Sequence, residues 1–273
     1  MLKRPIPSSG ELLPIIGCGT WQTFDVGNSA AARAPLREVL SALVENGGSL
    51  IDTSPMYGTS EKVVGDLVAE GDLRARTFIA TKVWTQGREA GAAQMARSAA
   101  LLKSGPVDLI QIHNLLDWKT HLATLRAWKD ENRVRYIGIT HYHAGAHDDL
   151  AAVMRAEKVD FVQFNYALDD RAAEGTLLPL AAERGVAVIA NRPFGQGDLI
   201  RRLRGRKLPD FAADLGCTDW AGLALKYIAA HEAVTCIIPA TRQPDHMRSN
   251  ARAGSGPLPD ADLRRRILAA AGV

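Results

Sequence analysis

The stretch Ser49-Leu-Ile-Asp-Thr-Ser-Pro-Met-Tyr-Gly58 joins a short apolar run, a carboxylate at its end and a turn that carries a phenol. A second apolar run, Phe78-Ile-Ala-Thr-Lys82, ends on a lysine, and a third, Leu109-Ile-Gln-Ile-His113, ends on a histidine. In a barrel of parallel strands, the C-terminal strand ends converge on one face, which is where the active sites of such barrels lie. The sequence therefore predicts an α/β barrel, and the polar side chains expected at its mouth are Asp52, Tyr57, Lys82 and His113.

Apolar, β-branched runs alternate with segments of helical periodicity along the rest of the chain. This alternation is typical of βα units wound with the right-handed connection, and 273 residues suit one barrel domain over the whole chain, 1–273. We therefore expect a (β/α)8 TIM barrel, with residues 1–13 as a short N-terminal hairpin that closes the barrel bottom. The runs predicted as strands are 15–20, 49–53, 78–83, 109–114, 136–141, 161–166, 187–192 and 235–240.

The helical segments show the spacing of a single buried stripe. Leu36, Val39, Leu40 and Leu43 follow the i, i+3, i+4, i+7 pattern, and Asn46-Gly47-Gly48 provides a helix stop. Ser60 is predicted to cap the next helix. The remaining segments predicted as helices are 89–103, 119–131, 147–157, 172–184, 219–231 and 260–270.

Composition narrows the class of protein. The net charge of +3 is too small to imply a nucleic-acid partner, and no apolar run is long enough to cross a bilayer. The N-terminal residues lack the apolar segment of a secretory signal, so we expect a cytoplasmic enzyme. Cysteines Cys18, Cys217 and Cys236 are odd in number and widely spaced, which favours reduced thiols. The oligomeric state stays open, a monomer included.

The four polar residues suit proton transfer to a carbonyl oxygen. A free phenol has a pKa near ~10, and a neighbouring ammonium lowers it. Lys82 would be that ammonium for Tyr57, Asp52 would hold Lys82, and His113 would donate a hydrogen bond to the carbonyl oxygen. The residues thus predict a proton relay that needs no metal.

At this point the motifs resemble those of the aldo-keto reductases. The matching stretches, in order along nearly the whole chain, are Gly17-Cys-Gly-Thr-Trp21, 51–58, Thr81-Lys-Val-Trp84, 109–113, Tyr136-Ile-Gly-Ile139, Gln163-Phe-Asn-Tyr166, Arg192-Pro-Phe-Gly195 and Ile238-Pro239. The resemblance implies hydride transfer from NADPH, bound without a Rossmann domain, to a small-molecule aldehyde or ketone. The family's catalytic tetrad falls on Asp52, Tyr57, Lys82 and His113.

The resemblance also implies a set of cofactor-binding positions. Gln163 matches the glutamine that holds the nicotinamide carboxamide, and Thr140-His141 stands where the family often has Ser-Asn. The glycines of Pro193-Phe-Gly-Gln-Gly197 match the loop that folds over the pyrophosphate. The positions predicted to contact the cofactor are Gly19, Thr20, Trp21, Thr140, His141, Gln163, Asn191, Arg192, Pro193, Phe194, Gly195, Gly197, Ala240, Thr241, Arg242, His246 and Asn250.

The chain departs from the family pattern at two of these places. Asn191 stands where an aromatic residue commonly stacks on the nicotinamide, and the family's lysine after the last strand is replaced by Ala240. Arg242 with Thr241 could hold a 2′-phosphate, but NADH stays possible beside NADPH. Because the chain stops soon after residue 270, we expect an open substrate pocket. The aromatic residues expected to line it are Trp21, Phe24, Trp84 and Trp118.

Two other functions remain open at the sequence level. A metal-dependent barrel hydrolase would use His113, His141 and His143 as ligands, although no carboxylate follows at a matching strand end. We expect His143 and His147 to be exposed instead. The other alternative is a cofactor-binding regulatory or redox-sensing protein that turns over slowly.

Overall fold

Eight parallel strands form the centre of the computed structural model, which describes residues 1–273. Each strand pairs with the next along the chain. Ile237 accepts a backbone hydrogen bond from Gly17 N–H and donates one to the Ile15 carbonyl, so the first and last strands also meet and the barrel is nearly closed. The predicted (β/α)8 fold is confirmed. The strands are β3 (Cys18–Gly19), β4 (Leu50–Asp52), β5 (Phe78–Val83), β6 (Val107–His113), β7 (Val134–Thr140), β8 (Phe161–Asn165), β9 (Ala187–Asn191) and β10 (Val234–Ile237).

An N-terminal hairpin precedes the barrel, as the sequence predicts. Strands β1 (Lys3–Pro5) and β2 (Leu12–Pro14) pair antiparallel, and Gly10 in their connection has φ +77°, a conformation that glycine adopts at little cost. Ile6 and Leu13 bury their side chains in the cluster that fills the lower barrel interior, together with Phe161. The hairpin therefore closes the barrel at the end opposite the strand C-termini.

Helices surround the barrel on its outer face. In α1 the predicted stripe of Leu36, Val39, Leu40 and Leu43 is buried, and the helix ends at the predicted Asn46-Gly47 stop. No helix of the structure has the length and apolar character needed to span a membrane. The helices are α1 (Ala30–Glu45), α2 (Ser60–Glu70), α3 (Arg88–Leu102), α4 (Trp118–Asp130), α5 (His147–Ala156), α6 (Leu177–Arg184), α7 (Asp198–Leu203), α8 (Trp220–Ala229), α9 (Pro244–Ala253) and α10 (Ala261–Ala271).

The helices differ from the sequence prediction in three places. Residues 172–184 are not one helix, because Thr176 has a non-helical backbone (φ −138°, ψ −64°) that separates a 3-10 turn at Ala172–Gly175 from α6. The α2 helix begins one residue earlier than predicted, with Thr59 as its cap, and Ser60 instead bonds Thr53 and Thr20. Helices α7 and α9 were not predicted.

The barrel strands are buried on both faces, which explains why they read as continuous apolar runs. All residues of β4, β5 and β6 are buried, including the charged side chains at their ends. The three cysteines are buried free thiols, as predicted. Polar groups at the strand ends therefore sit on a rigid frame.

Candidate active site

The four polar side chains singled out in the sequence meet at one cavity. Asp52 is the last residue of β4, Lys82 the penultimate residue of β5 and His113 the last residue of β6, while Tyr57 lies in the turn between β4 and α2. All four line a cavity of about 640 Å³ at the C-terminal end of the barrel. A cavity of this size is typical of a site for a small ligand.

Asp52 and Lys82 form a buried ion pair. Lys82 Nζ donates to Asp52 Oδ1 at 2.9 Å, to Asp52 Oδ2 at 2.8 Å and to the Thr53 carbonyl at 2.7 Å, so all three of its protons are used. Burial alone would lower the pKa of Lys82, but the charges of Asp52 and Tyr57 and these hydrogen bonds outweigh it and raise the Lys82 pKa. The lysine therefore stays an ammonium ion.

Tyr57 packs directly against this ammonium. Lys82 Nζ lies 5.0 Å from the Tyr57 ring centroid, and the His113 ring meets the phenol edge-on with centroids 5.9 Å apart. Burial raises the pKa of Tyr57 above its usual value, although Lys82 pulls the pKa down. The predicted net lowering is thus wrong for the free protein, because loss of water around the phenol outweighs the ammonium charge. The phenol keeps its proton and can donate it.

His113 is a neutral imidazole. Burial, and next the charge of Lys82, lower its pKa to about 3. Its Nδ1 lies 3.1 Å from Ser54 Oγ, which itself accepts the Met56 backbone N–H at 3.2 Å. In the tautomer that carries its proton on Nε2, the imidazole accepts the Ser54 hydroxyl at Nδ1 and presents Nε2–H as a hydrogen-bond donor.

Ser54 has no role in the sequence prediction, although it lies in the turn between Asp52 and Tyr57. Gln111 is a second residue that the prediction missed. Its amide donates to Gln163 Oε1 at 2.7 Å and to Asp52 Oδ1 at 3.4 Å, so it connects Gln163 to the ion pair. Its position in the sequence could have identified it, because Gln111 lies two residues before His113 in β6 and therefore on the same face of the strand.

Most predicted cofactor-binding positions line the cavity, and a smaller group does not. Arg242 donates to the carbonyls of Gln22 at 2.5 Å and Thr23 at 3.1 Å, and Asn250 is buried on α9. The predicted positions on the lining are Gly19, Thr20, Trp21, Thr140, His141, Gln163, Asn191, Arg192, Pro193, Phe194, Gly197 and Ala240. Those outside it are Gly195, Thr241, Arg242, His246 and Asn250.

The aromatic lining is only partly as predicted. Trp21 and Trp84 face the cavity. Phe24 does not, because it is fully buried in the cluster formed with α1 and α2, and Trp118 begins α4 and packs against the main core. The lining residues that the sequence prediction did not include are Gln22, Thr23, Met56, Asn114, Tyr142, Gln196 and Ile238.

The histidines after β7 do not form a metal site with His113. The rings of His141 and His143 are 4.4 Å apart, but no group of three His, Cys, Asp or Glu side chains is placed to hold a metal ion. His143 is exposed, as predicted. His147 is buried instead, because its Nε2 bonds Asn165 Oδ1 at 3.0 Å, so that part of the prediction is wrong.

Three buried acceptor atoms of the lining residues have no partner within the chain. They are Asn191 Oδ1, Asn114 Oδ1 and Thr23 Oγ1. The other end of the Asn191 amide is fixed, since its Nδ2 donates to the His141 carbonyl at 3.0 Å. A buried acceptor held in this way fits a ligand amide, such as the carboxamide of a nicotinamide.

The barrel and the four side chains at its mouth define the candidate site. The chain belongs to the aldo/keto reductase family, whose model matches residues 15–266. The family comprises NAD(P)H-dependent carbonyl reductases, and the chain is thus an oxidoreductase.

Individual relatives match over almost their full length. Methylglyoxal reductase YeaE of Escherichia coli is 27% identical over 96% of this chain and 93% of its own. The NADH-specific methylglyoxal reductase of the same organism is 26% identical over 96% of both chains. An aldo/keto reductase from Klebsiella pneumoniae, solved in complex with NADP and acetate, is 25% identical and superimposes with a TM-score of 0.77 over 94% of this chain and 91% of its own.

Proposed function

We propose that this protein reduces aldehydes or ketones to alcohols with NADPH, and that Tyr57 is the general acid. The observation that carries the proposal is the meeting, at one cavity, of a protonated phenol, a neutral imidazole and a buried ammonium. Bound NADPH would supply the hydride, and the protein would supply orientation and the proton.

Each of the four residues has a distinct part in this chemistry. The carbonyl oxygen is held between the Tyr57 hydroxyl and the Nε2–H of His113. Negative charge grows on that oxygen as hydride arrives, and Tyr57 gives it a proton. The phenolate left behind is stabilised by the ammonium of Lys82, which Asp52 holds in place.

The cofactor would lie along the cavity with its nicotinamide near the tetrad. Gln163 and Asn191, with Thr140 and His141, are suited to the carboxamide, because Asn191 Oδ1 is an unpaired buried acceptor. The segment 193–197 would follow the pyrophosphate. The rest of the cofactor would contact residues at or after the ends of the first and last barrel strands, and its adenosine end would lie on the β10 side. These residues are Gly19, Thr20, Trp21, Ala240, Thr241, Arg242, His246 and Asn250.

The substrate is expected to be a small carbonyl compound. Two relatives bear the name methylglyoxal reductase, and the mouth of this cavity is open and flanked by Trp21, Met56 and Trp84. Such a lining suits small aldehydes with apolar bodies.

Label transfer tests the proposal directly. With NADPH deuterated at C4 and methylglyoxal as the first of a panel of aldehydes and ketones, the alcohol product should carry deuterium on the former carbonyl carbon. NADH, deuterated in the same way, reports the cofactor preference. Cofactor binding without reduction of any compound would contradict the proposal and favour a regulatory protein.

A further inference from the structure

Arg192 is an unusual residue in the cavity wall. It follows β9 directly, has a left-handed backbone (φ +52°) and is half-buried among the lining residues. Other arginines nearby are engaged, since Arg202 pairs with Asp169 and Arg242 with the Gln22 carbonyl. The Arg192 guanidinium forms neither a hydrogen bond nor an ion pair with any residue of the chain.

Two aromatic rings hold this guanidinium in place. Its carbon lies 4.5 Å from the ring centroid of Tyr142 and 5.7 Å from that of Trp21. These rings follow β7 and β3, which are four strands apart and so face each other across the mouth. Stacking uses the flat faces of a guanidinium and leaves the N–H groups at its edge free to donate.

The cavity offers these donors no anion of its own. Asp52 is the only carboxylate in the lining, and it is bound to Lys82. The positive charge of Arg192 reaches the reaction centre, because it is one of the groups that lower the pKa of Tyr57. A stacked, unpaired guanidinium in a cleft is well suited to a carboxylate or phosphate, which it binds through two parallel hydrogen bonds.

We propose that Arg192 binds the carboxylate or phosphate of an anionic carbonyl substrate whose carbonyl oxygen is held by Tyr57 and His113. The inference rests on the proposed reductase function and narrows its substrate class. The oxyanions of NADPH are the other possible source of this chemistry. The sequence prediction places Arg192 among the cofactor contacts. We assign it instead to the substrate, because its guanidinium is held between Tyr142 and Trp21 in the wall of the cavity that Tyr57 and His113 also line.

A matched pair of aldehydes tests the inference: 4-carboxybenzaldehyde and its neutral methyl ester. The wild type should prefer the acid in kcat/KM. In Arg192→Gln the acid-to-ester ratio should fall by about 10- to 100-fold, the range for loss of hydrogen bonds to a charged group. Arg192→Lys should keep part of the preference. Arg126→Gln, which removes an exposed arginine on α4, should leave the ratio unchanged.

Fluorescence titration with NADPH separates the two sources of the anion. Binding of NADPH to Arg192→Gln should stay within about twofold of wild type. An unchanged acid-to-ester ratio in Arg192→Gln contradicts the inference. If the variant also binds NADPH more weakly than wild type, Arg192 belongs to the cofactor phosphates instead.

Benzoate provides a measurement that needs no variant, because it should inhibit ester reduction by the wild type more strongly than benzamide does. Equal inhibition would contradict the inference.

Ester reduction without any preference for the acid contradicts this inference alone. Failure to reduce the ester, the acid and methylglyoxal contradicts the proposed function.

Discussion

The donor state of His113 depends on a single hydroxyl. Ser54 Oγ lies 3.1 Å from its Nδ1, and we expect this hydroxyl to donate to Nδ1, which leaves the imidazole proton on Nε2 for the substrate. Because the His113 pKa is about 3, the ring stays neutral throughout the physiological pH range, and only its tautomer decides whether it donates. Ser54 is therefore a positioning residue for the proposed reaction.

Removal of this hydroxyl should weaken catalysis without abolishing it. In Ser54→Ala, kcat/KM for methylglyoxal should fall by about 3- to 10-fold, in line with the loss of one neutral hydrogen bond. Imidazole ¹⁵N NMR should show one tautomer for His113 in the wild type and a mixture in the variant. Ser104→Ala is the matched control, since Ser104 is also buried but lies near the barrel bottom, where its hydroxyl has no partner. A wild-type proton on Nδ1 would contradict the account.

The sequence predicts that four polar side chains meet at the barrel mouth, but it does not reveal the residues that support them. Asp52, Tyr57, Lys82 and His113 each belong to a recognisable motif at a strand end. Ser54 and Gln111 instead gain their roles from contacts with His113 and Gln163, residues more than fifty positions away. Such contacts exist only after the strands have assembled.

Among the helices, α1, α2 and α3 share one electrostatic contact. Asp66 on α2 accepts from Arg33 of α1 at 3.0 Å, from Lys62 at 2.7 Å and from Lys103, just after α3, at 2.6 Å. Burial would raise the pKa of Asp66, but hydrogen bonds from these three cations outweigh burial and hold the Asp66 pKa well below its usual range. One carboxylate thus ties three neighbouring helices.

Asp66→Asn should therefore destabilise the fold, by about 1–3 kcal/mol at pH 7 in urea denaturation, because it leaves three cations close together. The folded pKa is below the unfolded one, so the contribution is complete above about pH 5 and declines as the pH falls through about 4 toward the folded value. The difference from wild type should be equal at pH 7 and pH 6 and smaller at pH 3. Asp214→Asn, at an exposed aspartate without an ion pair, is the control. A pH-independent difference would contradict the role of the charge.

Strands were predicted more reliably than helices. Apart from Arg135 in β7, all residues of the barrel strands are buried, so their apolar runs are visible in the sequence. Helix α9 has a strongly polar sequence and was not predicted, and it forms because its Met247 and Ala251 are buried. The break in the helix at Thr176 likewise depends on the packing around it, which cannot be predicted from the local sequence.

For the molecule as a whole, the fold could be predicted because its motifs repeat in order around the barrel. The shape of the cavity could not. Phe24 lies beyond a strand end, as Trp21 does, yet α1 and α2 cover it. The protonation of Tyr57 also depends on the entire mouth, since the surrounding residues exclude water and raise the pKa that Lys82 lowers.

The C-terminal helix is joined to this frame by one half-buried cluster. Arg264 of α10 donates to Glu174 at 2.6 Å and to the Tyr166 hydroxyl at 2.8 Å, and Tyr227 of α8 also donates to Glu174 at 3.0 Å. Because Tyr166 immediately follows β8, the cluster connects α10 to the end of the barrel where the cavity opens. The last helix is therefore bonded to the barrel through this cluster.

Single-turnover reduction by Tyr57→Phe is the most direct test of the central claim, that this phenol protonates the substrate. The variant, premixed with NADPH and then mixed with aldehyde, should oxidise NADPH about 10²- to 10⁴-fold more slowly than wild type, the usual contribution of a general acid. NADPH affinity should be nearly unchanged. Tyr136→Phe deletes the same hydroxyl at the opposite end of the barrel and should react normally. A Tyr57→Phe variant that reacts at the wild-type rate would contradict the account.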